Sequence, residues 1–335
     1  MADRVLVTGG TGFIGARLVD RLVEAGRTVR CLVRATSNTA HLEALGVECY
    51  VGDLRDDASL RGACEGVREV YHLAALLKAP WHAEFTSVTA EGCGRMAAAC
   101  AAQPEPPVLI LVSSLAAAGP SATGRSEVQA AAPISRYGRA KLAGEEAARP
   151  YADRVPLPVI RPPLVLGEGD RSLLPVFRMA RRGWVVAPGR APLSMIHVDD
   201  LVWSLIAAAE KGERVSPPGS PGASPDRGVY FVADGEARQL SELGAQIAES
   251  LGIRPPRTIR MPLPVLYAAA AASEAWGRLR DRQTLLNLDK IKEAGAEGWV
   301  CSSDKARQQL GFEPEPFQER LRATGAWYQA QGWLS

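Results

Sequence analysis

The stretch Val5-Leu6-Val7-Thr8-Gly9-Gly10-Thr11-Gly12-Phe13-Ile14-Gly15 decides how the rest of the chain is read. An apolar run of strand length breaks at Gly9, and from Ile14 the apolar positions Leu18, Val19, Leu22 and Val23 recur at helical spacing. The sequence therefore predicts a strand, a glycine turn and a helix. Glycine at 9, 12 and 15 removes every Cβ where the chain must turn sharply, approach a ligand, and pack the helix against the strand. The N–H groups that open such a helix face a phosphate, and the helix dipole favours negative charge there. Glycine turns also arise for steric reasons alone; strand, glycines and helix falling in this order are what point to a dinucleotide.

At 335 residues the chain exceeds the size at which one core usually stops growing, so a large domain with a smaller lobe is expected. Its 47% hydrophobic and 23% charged residues are those of an ordinary globular protein. A net charge of +2 without a Lys/Arg stripe argues against a nucleic-acid or membrane-surface binder and for a small-molecule partner. The six cysteines, at 31, 49, 64, 93, 100 and 301, form no C-x-x-C pair and read as buried thiols. The first strand begins within a few residues of Met1, leaving no room for a signal peptide, and a cytoplasmic location is expected. The most apolar helix, from Leu263 to Ala272, is about half the ~20 residues that span a bilayer, so no membrane span is expected and the helix reads as core or pocket wall.

After the first helix, Thr28 to Val33 reads as a second strand and ends at Arg34 with no acid nearby. An acid at this place usually meets a free ribose, whereas an Arg accommodates a 2′-phosphate, so NADP(H) is preferred and NAD(H) remains possible. A third strand, Val47 to Val51, leads into Asp53 and Leu54. Asp53 can accept from an exocyclic amine or cap the next helix. A fourth, Val67 to Leu73, runs into Leu73-Ala74-Ala75, small enough for a flat ring and its ribose to lie on the backbone; His72 beside them reads as structural. Pro107 to Val112 is the continuous apolar run of a central parallel strand and ends in Ser113-Ser114. Further on, Tyr137-Gly138-Arg139-Ala140-Lys141 puts a phenol and an ammonium on one helix face, where the cation favours the phenolate. Such a phenol can give a proton to a carbonyl oxygen or take one from an alcohol.

In this order and spacing the glycine turn, the serine and Tyr-x-x-x-Lys resemble the extended short-chain dehydrogenase/reductase family, of the NAD-dependent epimerase/dehydratase type. The resemblance covers nearly the whole chain. It implies an α/β fold, a doubly wound parallel Rossmann sheet with a smaller, mainly helical C-terminal substrate lobe. It also implies catalytic Ser114, Tyr137 and Lys141. Ser114 lies five residues before Gly119, the family offset, and Ser113 is the alternative. The cofactor-binding set it implies is Gly9, Thr11, Gly12, Phe13, Ile14, Gly15, Arg34, Asp53, Leu54, Leu73, Ala74, Ala75, Tyr137, Lys141, Pro162 and Leu164. Relatives carry an Asn that helps a proton relay where this chain has Thr89, in a helix expected from about Glu84 to Ala102. Arg161 of the Arg-Pro turn reads as a structural tie, His197 as an interior histidine, and Asp199 and Asp200 as helix caps. The C-terminal third, with Met261-Pro262-Leu263-Pro264 and Trp327-Tyr328, resembles the branch of 3β-hydroxysteroid dehydrogenases and dihydroflavonol reductases.

The expected domains are 1–162, a Rossmann NADP-binding domain rejoined by about 194–212 and 228–233, and 163–335, mainly a substrate-binding lobe with a flexible loop at 215–226. Leu76, Leu77, Trp81, Ala116 and Pro163, with Pro80 and the helix from Leu263, line the expected substrate pocket. Pro162-Pro163-Leu164 lacks the polar reader of sugar nucleotides found in related epimerases. The reading is an NADP(H)-dependent ketoreductase or hydroxy dehydrogenase acting on a largely apolar carbonyl compound, with no metal, no nucleic acid, and a homodimer possible. Its alternatives are a nucleotide-sugar epimerase/dehydratase and a noncatalytic NADP(H)-sensing or partner-binding protein.

Overall fold

The structure, a computed structural model, describes residues 4–74, 87–221, 224–279 and 288–334. Seven strands make one parallel sheet: β1 (Arg4–Thr8), β2 (Thr28–Val33), β3 (Glu48–Val51), β4 (Glu69–His72), β5 (Val108–Val112), β6 (Val159–Arg161) and β7 (Val229–Phe231). In space they run β3-β2-β1-β4-β5-β6-β7, so the order reverses between β1 and β4. Ligands of open α/β sheets bind beyond the carboxyl ends of the strands at such a reversal. The turn after β1 opens there.

The sheet is covered on both faces, as the buried apolar runs of its central strands β1 and β5 require. Val5 and Val7 face a layer with Leu18, Val19 and Leu22 of helix α1 (Phe13–Glu24), while Leu6 faces the other with Met96 and Cys100 of helix α2 (Gly92–Ala101). Helix α3 (Arg136–Ala148) packs on α2, and helix α4 (Val198–Lys211) packs on α1. A separate core of Leu166, Phe177, Met195, Leu243, Ile247, Leu321 and Tyr328 holds the C-terminal part. The Tyr328 hydroxyl donates to the Asp170 carbonyl at 2.6 Å.

Close backbone approach explains the glycine turn. Gly9 has φ +78°, and a Cβ on Gly15 would lie 2.1 Å from the Gly9 carbonyl oxygen. The helix can therefore start directly against the strand end only with glycine at 15. Gly10 makes a similar approach to the Cys31 sulfur, which a Cβ would meet at 2.7 Å.

One expected helix changes its form, and a second is narrowed. Of the helix predicted from about Glu84 to Ala102, residues 84–86 lie outside the described residues, Ser87–Glu91 is a widened π turn, and α2 follows directly. The Thr89 carbonyl there accepts the Cys93 thiol and lies 3.1 Å from where a Gly144 Cβ would be, so the wide turn fits against α3. The apolar helix α5 (Leu263–Leu279) is not core: from Leu263 to Trp276 only Ala270 is buried. The segment from 215 starts pinned, with Val215 buried and its N–H donating to the Leu157 carbonyl. Five cysteines are buried and Cys49 is half-buried, all as free thiols. Among the described residues no helix is long and apolar enough to cross a membrane.

Gly15 and Gly189 make a matched test, because a Cβ at 189 meets nothing within 4 Å. Gly15→Ala should cost about 1–3 kcal/mol, as overpacking against fixed backbone does. Gly189→Ala should be neutral or stabilising by up to about 1 kcal/mol. Denaturant unfolding of the two variants measures this; equal stabilities would show that the turn relaxes freely.

Candidate active site

The start of α1 is built for an anion. Gly12 is its N-cap and offers no side-chain bond, the first turn holds no acid, and the Gly12 N–H already closes the turn onto the Gly9 carbonyl at 3.0 Å. The N–H groups of Phe13, Ile14 and Gly15 have no helical carbonyl to meet, and glycine at 9, 12 and 15 leaves the approach open. This cradle fits a pyrophosphate. Thr11 is exposed beside it, while Phe13 and Ile14 rest their side chains on the core.

Beside the cradle, the Thr8 hydroxyl accepts the Ala74 N–H at 3.2 Å and lies 2.9 Å from His72 Nδ1, tying the ends of β1 and β4 together. Burial, with the Lys141 charge adding, pushes the His72 pKa down to about 3, so the ring is neutral. Its Nε2 is buried with no partner among the described residues. Arg34 is exposed just past β2. Near it, Asp53 accepts from the Arg55 N–H, Nε and Nη2 at 2.8–2.9 Å, and these bonds push its carboxyl down to about 2. Asp53 is not the helix cap offered as its alternative role; Asp56 is, accepting from Ala58. Leu54 is buried, and Leu73 and Ala74 are half-buried. Ala75, Leu76, Leu77, Pro80 and Trp81 lie outside the described residues.

On α3 the side chains of Tyr137, Lys141 and Glu145 follow one another at four-residue spacing along one face. Ser135 caps the helix by accepting the Gly138 N–H at 2.9 Å, and Asp289 accepts the Arg136 N–H through both oxygens at 3.0 Å. Gly138, directly after the tyrosine, sets the depth: a Cβ there would lie 2.2 Å from the Ala116 carbonyl. The half-buried Tyr137 is thereby held against the Ser114–Ala118 segment. The buried Lys141 ammonium donates to the Val112 carbonyl at 2.8 Å.

Below them, Glu145 receives Arg161 Nε at 2.9 Å, Arg161 Nη2 at 2.6 Å and the Ser113 hydroxyl. All three groups are buried; burial pulls the Arg161 pKa down, and the charge and hydrogen bonds of Glu145 outweigh it and leave that pKa raised. Ser113 is thus committed to Glu145. Ser114 is half-buried, accepts the Ala116 N–H at 3.1 Å, and keeps its own hydrogen to donate. The Pro162 carbonyl accepts from Leu115 at 2.8 Å; Pro163 and Leu164 beyond it are half-buried, and Ala116 is buried. Thr89 is buried, and its hydroxyl has no partner among the described residues.

The cap of α4 is His197, whose Nδ1 accepts the Asp199 N–H at 3.2 Å, and not Asp199 or Asp200. Those carboxylates instead receive Arg17, Arg21 and Arg320. Long-range pairing overrides the local cap preference. Sequence reasoning also missed Ser135, Gly138, Glu145 and Asp289. A serine just before the helix and an acid eight residues beyond the tyrosine were visible signals for two of them; Asp289 had none, being 153 residues from its partner.

Fold and site define an NAD(P)-dependent oxidoreductase of the extended short-chain dehydrogenase/reductase type. Residues 5–220 match the NAD dependent epimerase/dehydratase family, to which the chain belongs. It is 32% identical over 98% of its length to a ceramide reductase of Caulobacter vibrioides, covering 96% of that protein. A 2-alkyl-3-oxoalkanoate reductase of Stenotrophomonas maltophilia is 28% identical, with 96% of this chain and 99% of that one aligned. Among solved structures, the UDP-glucose 4-epimerase of Thermotoga maritima, in complex with UDP-glucose, shares the fold at a TM-score of 0.73 and 20% identity, over 98% of this chain and 99% of that one.

The neutral state of His72 carries a pH dependence. Its folded pKa near 3 lies below the ordinary 6.5, so the stability that neutrality confers is present above pH 6.5 and is lost as the pH falls toward 3. The wild-type protein should lose stability between pH 6.5 and 5, and His72→Asn should flatten that slope. Denaturant midpoints across this range check it; an unchanged slope in the variant would contradict a buried neutral His72.

Proposed function

We propose that the protein is an NADP(H)-dependent reductase of largely apolar ketones, working in the reverse direction on the matching secondary alcohols. The observation that carries the reading is α3 pressed by Gly138 onto the Ser114 segment, with Tyr137 and Lys141 on one face above the buried Glu145–Arg161 pair. The nicotinamide, when bound, supplies or accepts the hydride at the carbonyl carbon. Ser114 donates a hydrogen bond to the carbonyl oxygen and orients it. Tyr137 gives that oxygen a proton as its negative charge develops, which completes the alcohol. Lys141 provides the positive charge beside the phenol and a contact for the nicotinamide ribose.

The Gly9–Gly15 cradle, with Thr11, Phe13 and Ile14, takes the pyrophosphate in this reading. Arg34, exposed past β2 with no acid at that strand end, takes the 2′-phosphate. Asp53 and Leu54 border the adenine, and Leu73, Ala74, Pro162 and Leu164 lie beside the rest of the cofactor. An apolar substrate is supported by Pro162-Pro163-Leu164, which has no polar side chain to read a sugar. The names of the relatives also support it, since they print ceramide, a 2-alkyl-3-oxoalkanoate and a farnesyl-bearing quinoline oxide, each with an apolar hydrocarbon portion.

NADPH oxidation with long-chain 3-oxoacyl and aryl ketones should proceed, and UDP-sugars should be inert. Activity on a UDP-sugar and on no ketone would replace this reading with epimerisation. Tyr137→Phe should lower turnover by about 10²–10⁴ with cofactor affinity nearly unchanged, because only the acid is lost. Lys141→Met should damage both turnover and affinity. Arg34→Ala should weaken NADPH far more than NADH. Near wild-type turnover in Tyr137→Phe, with chemistry rate-limiting, would remove Tyr137 from the reaction.

A further inference from the structure

Five of the eight exposed large apolar side chains among the described residues fall between positions 259 and 288. They include Ile259 on the exposed strand Arg257–Arg260, Val265 and Tyr267 on α5, and Leu288, the first residue of helix α6 (Leu288–Ala294). From Leu263 to Ala272 the helix carries no charge, and Tyr267 is its one polar group. A helix apolar on all sides is ordinarily buried, yet this one faces outward. From Leu251 to Ser273 there is no acid, while Arg254, Arg257 and Arg260 are all exposed. These arginines form no ion pair among the described residues, so the stretch joins an exposed apolar helix to three local positive charges, which the whole-chain net charge of +2, read above as arguing against a membrane-surface binder, does not register.

We propose that α5 and the Arg254–Arg260 segment dock on an anionic lipid surface, from which an apolar substrate reaches Tyr137. Among the described residues no helix, α5 included, is long and apolar enough to cross a bilayer, and apolar residues beside a cationic flank are the composition of a segment that lies in the interface. A second copy seated two-fold on the same patch would bring in three further arginines, with no acid of this stretch to meet them. Anionic headgroups meet both needs, covering the helix and neutralising the arginines.

The patch is tied to the reacting residues. Glu274 of α5 accepts the Leu288 N–H at 2.8 Å, Asp289 accepts the Arg136 N–H at the start of α3, and the Lys290 ammonium lies 5.7 Å from the Tyr137 ring centre. Delivery of substrate rests on the ketoreductase reading, but docking is measured without cofactor or turnover, so either can fail alone.

Flotation of the full chain with vesicles tests the docking, using phosphatidylcholine alone and phosphatidylcholine doped with phosphatidylglycerol. The protein should rise with the phosphatidylglycerol vesicles and be released partly by salt. Replacing Arg254, Arg257 and Arg260 by Gln should lower partition roughly 100-fold, from the ordinary contribution of a basic residue at an anionic surface. Val265→Asp with Tyr267→Asp should abolish flotation, with the thermal midpoint unchanged because both sites are exposed. No flotation of the wild-type chain, or flotation insensitive to both sets, would overturn the proposal. So would a lipid-independent dimer that Val265→Asp and Tyr267→Asp convert to monomer.

Discussion

The site depends on the buried ion pair between Glu145 and Arg161. Arg161 ends β6, Glu145 sits two turns beyond Tyr137 on α3, and Ser113 at the end of β5 gives its hydroxyl to the same carboxylate. One group of charges thus joins two strand ends to the helix that carries the tyrosine and the lysine. Removing either partner would leave a charge without water or counter-ion, which in buried pairs costs about 3–5 kcal/mol. The pair adds little net stability over an apolar substitute, but its bidentate geometry fixes the rotation and height of α3 relative to the sheet.

Around that tie, absent side chains set the distances. Gly138 lets α3 reach the Ala116 carbonyl, Gly144 lets it reach Thr89 and Cys93, and Gly15 lets α1 start against Gly9. Both helices are held at backbone contact with the carboxyl edge of the sheet, one offering N–H groups and the other a phenol and an ammonium. The crevice between β1 and β4 opens at that same edge. Thr8, His72 and Ala74 brace its floor with hydrogen bonds rather than charge.

The parts legible in the sequence were those encoded locally. The strand–turn–helix at 5–24, the parallel strands, and the face shared by Tyr137 and Lys141 follow from periodicity and spacing, and the structure has them. Contacts between distant segments were less legible. Asp199 reads as a helix cap until Arg17 and Arg320 are brought to it from far along the chain. The π turn at 87–91 depends on a glycine of another helix, and helical periodicity does not register it. The exposed face of α5 was not legible for the same reason, since an apolar helix looks the same in sequence whether it is core, a pocket wall or covered by another medium.

In the proposed reaction one hydride from the bound nicotinamide and one proton from Tyr137 are delivered to an apolar ketone. Transfer of label tests that directly. With NADPH carrying deuterium at C4 on the transferred face and a long-chain 3-oxoacyl ester, mass spectrometry should find one deuterium on the carbinol carbon of the alcohol and none left at that position of the oxidised cofactor. Label that never reaches a ketone, while a UDP-sugar changes configuration over the same enzyme, would contradict the account.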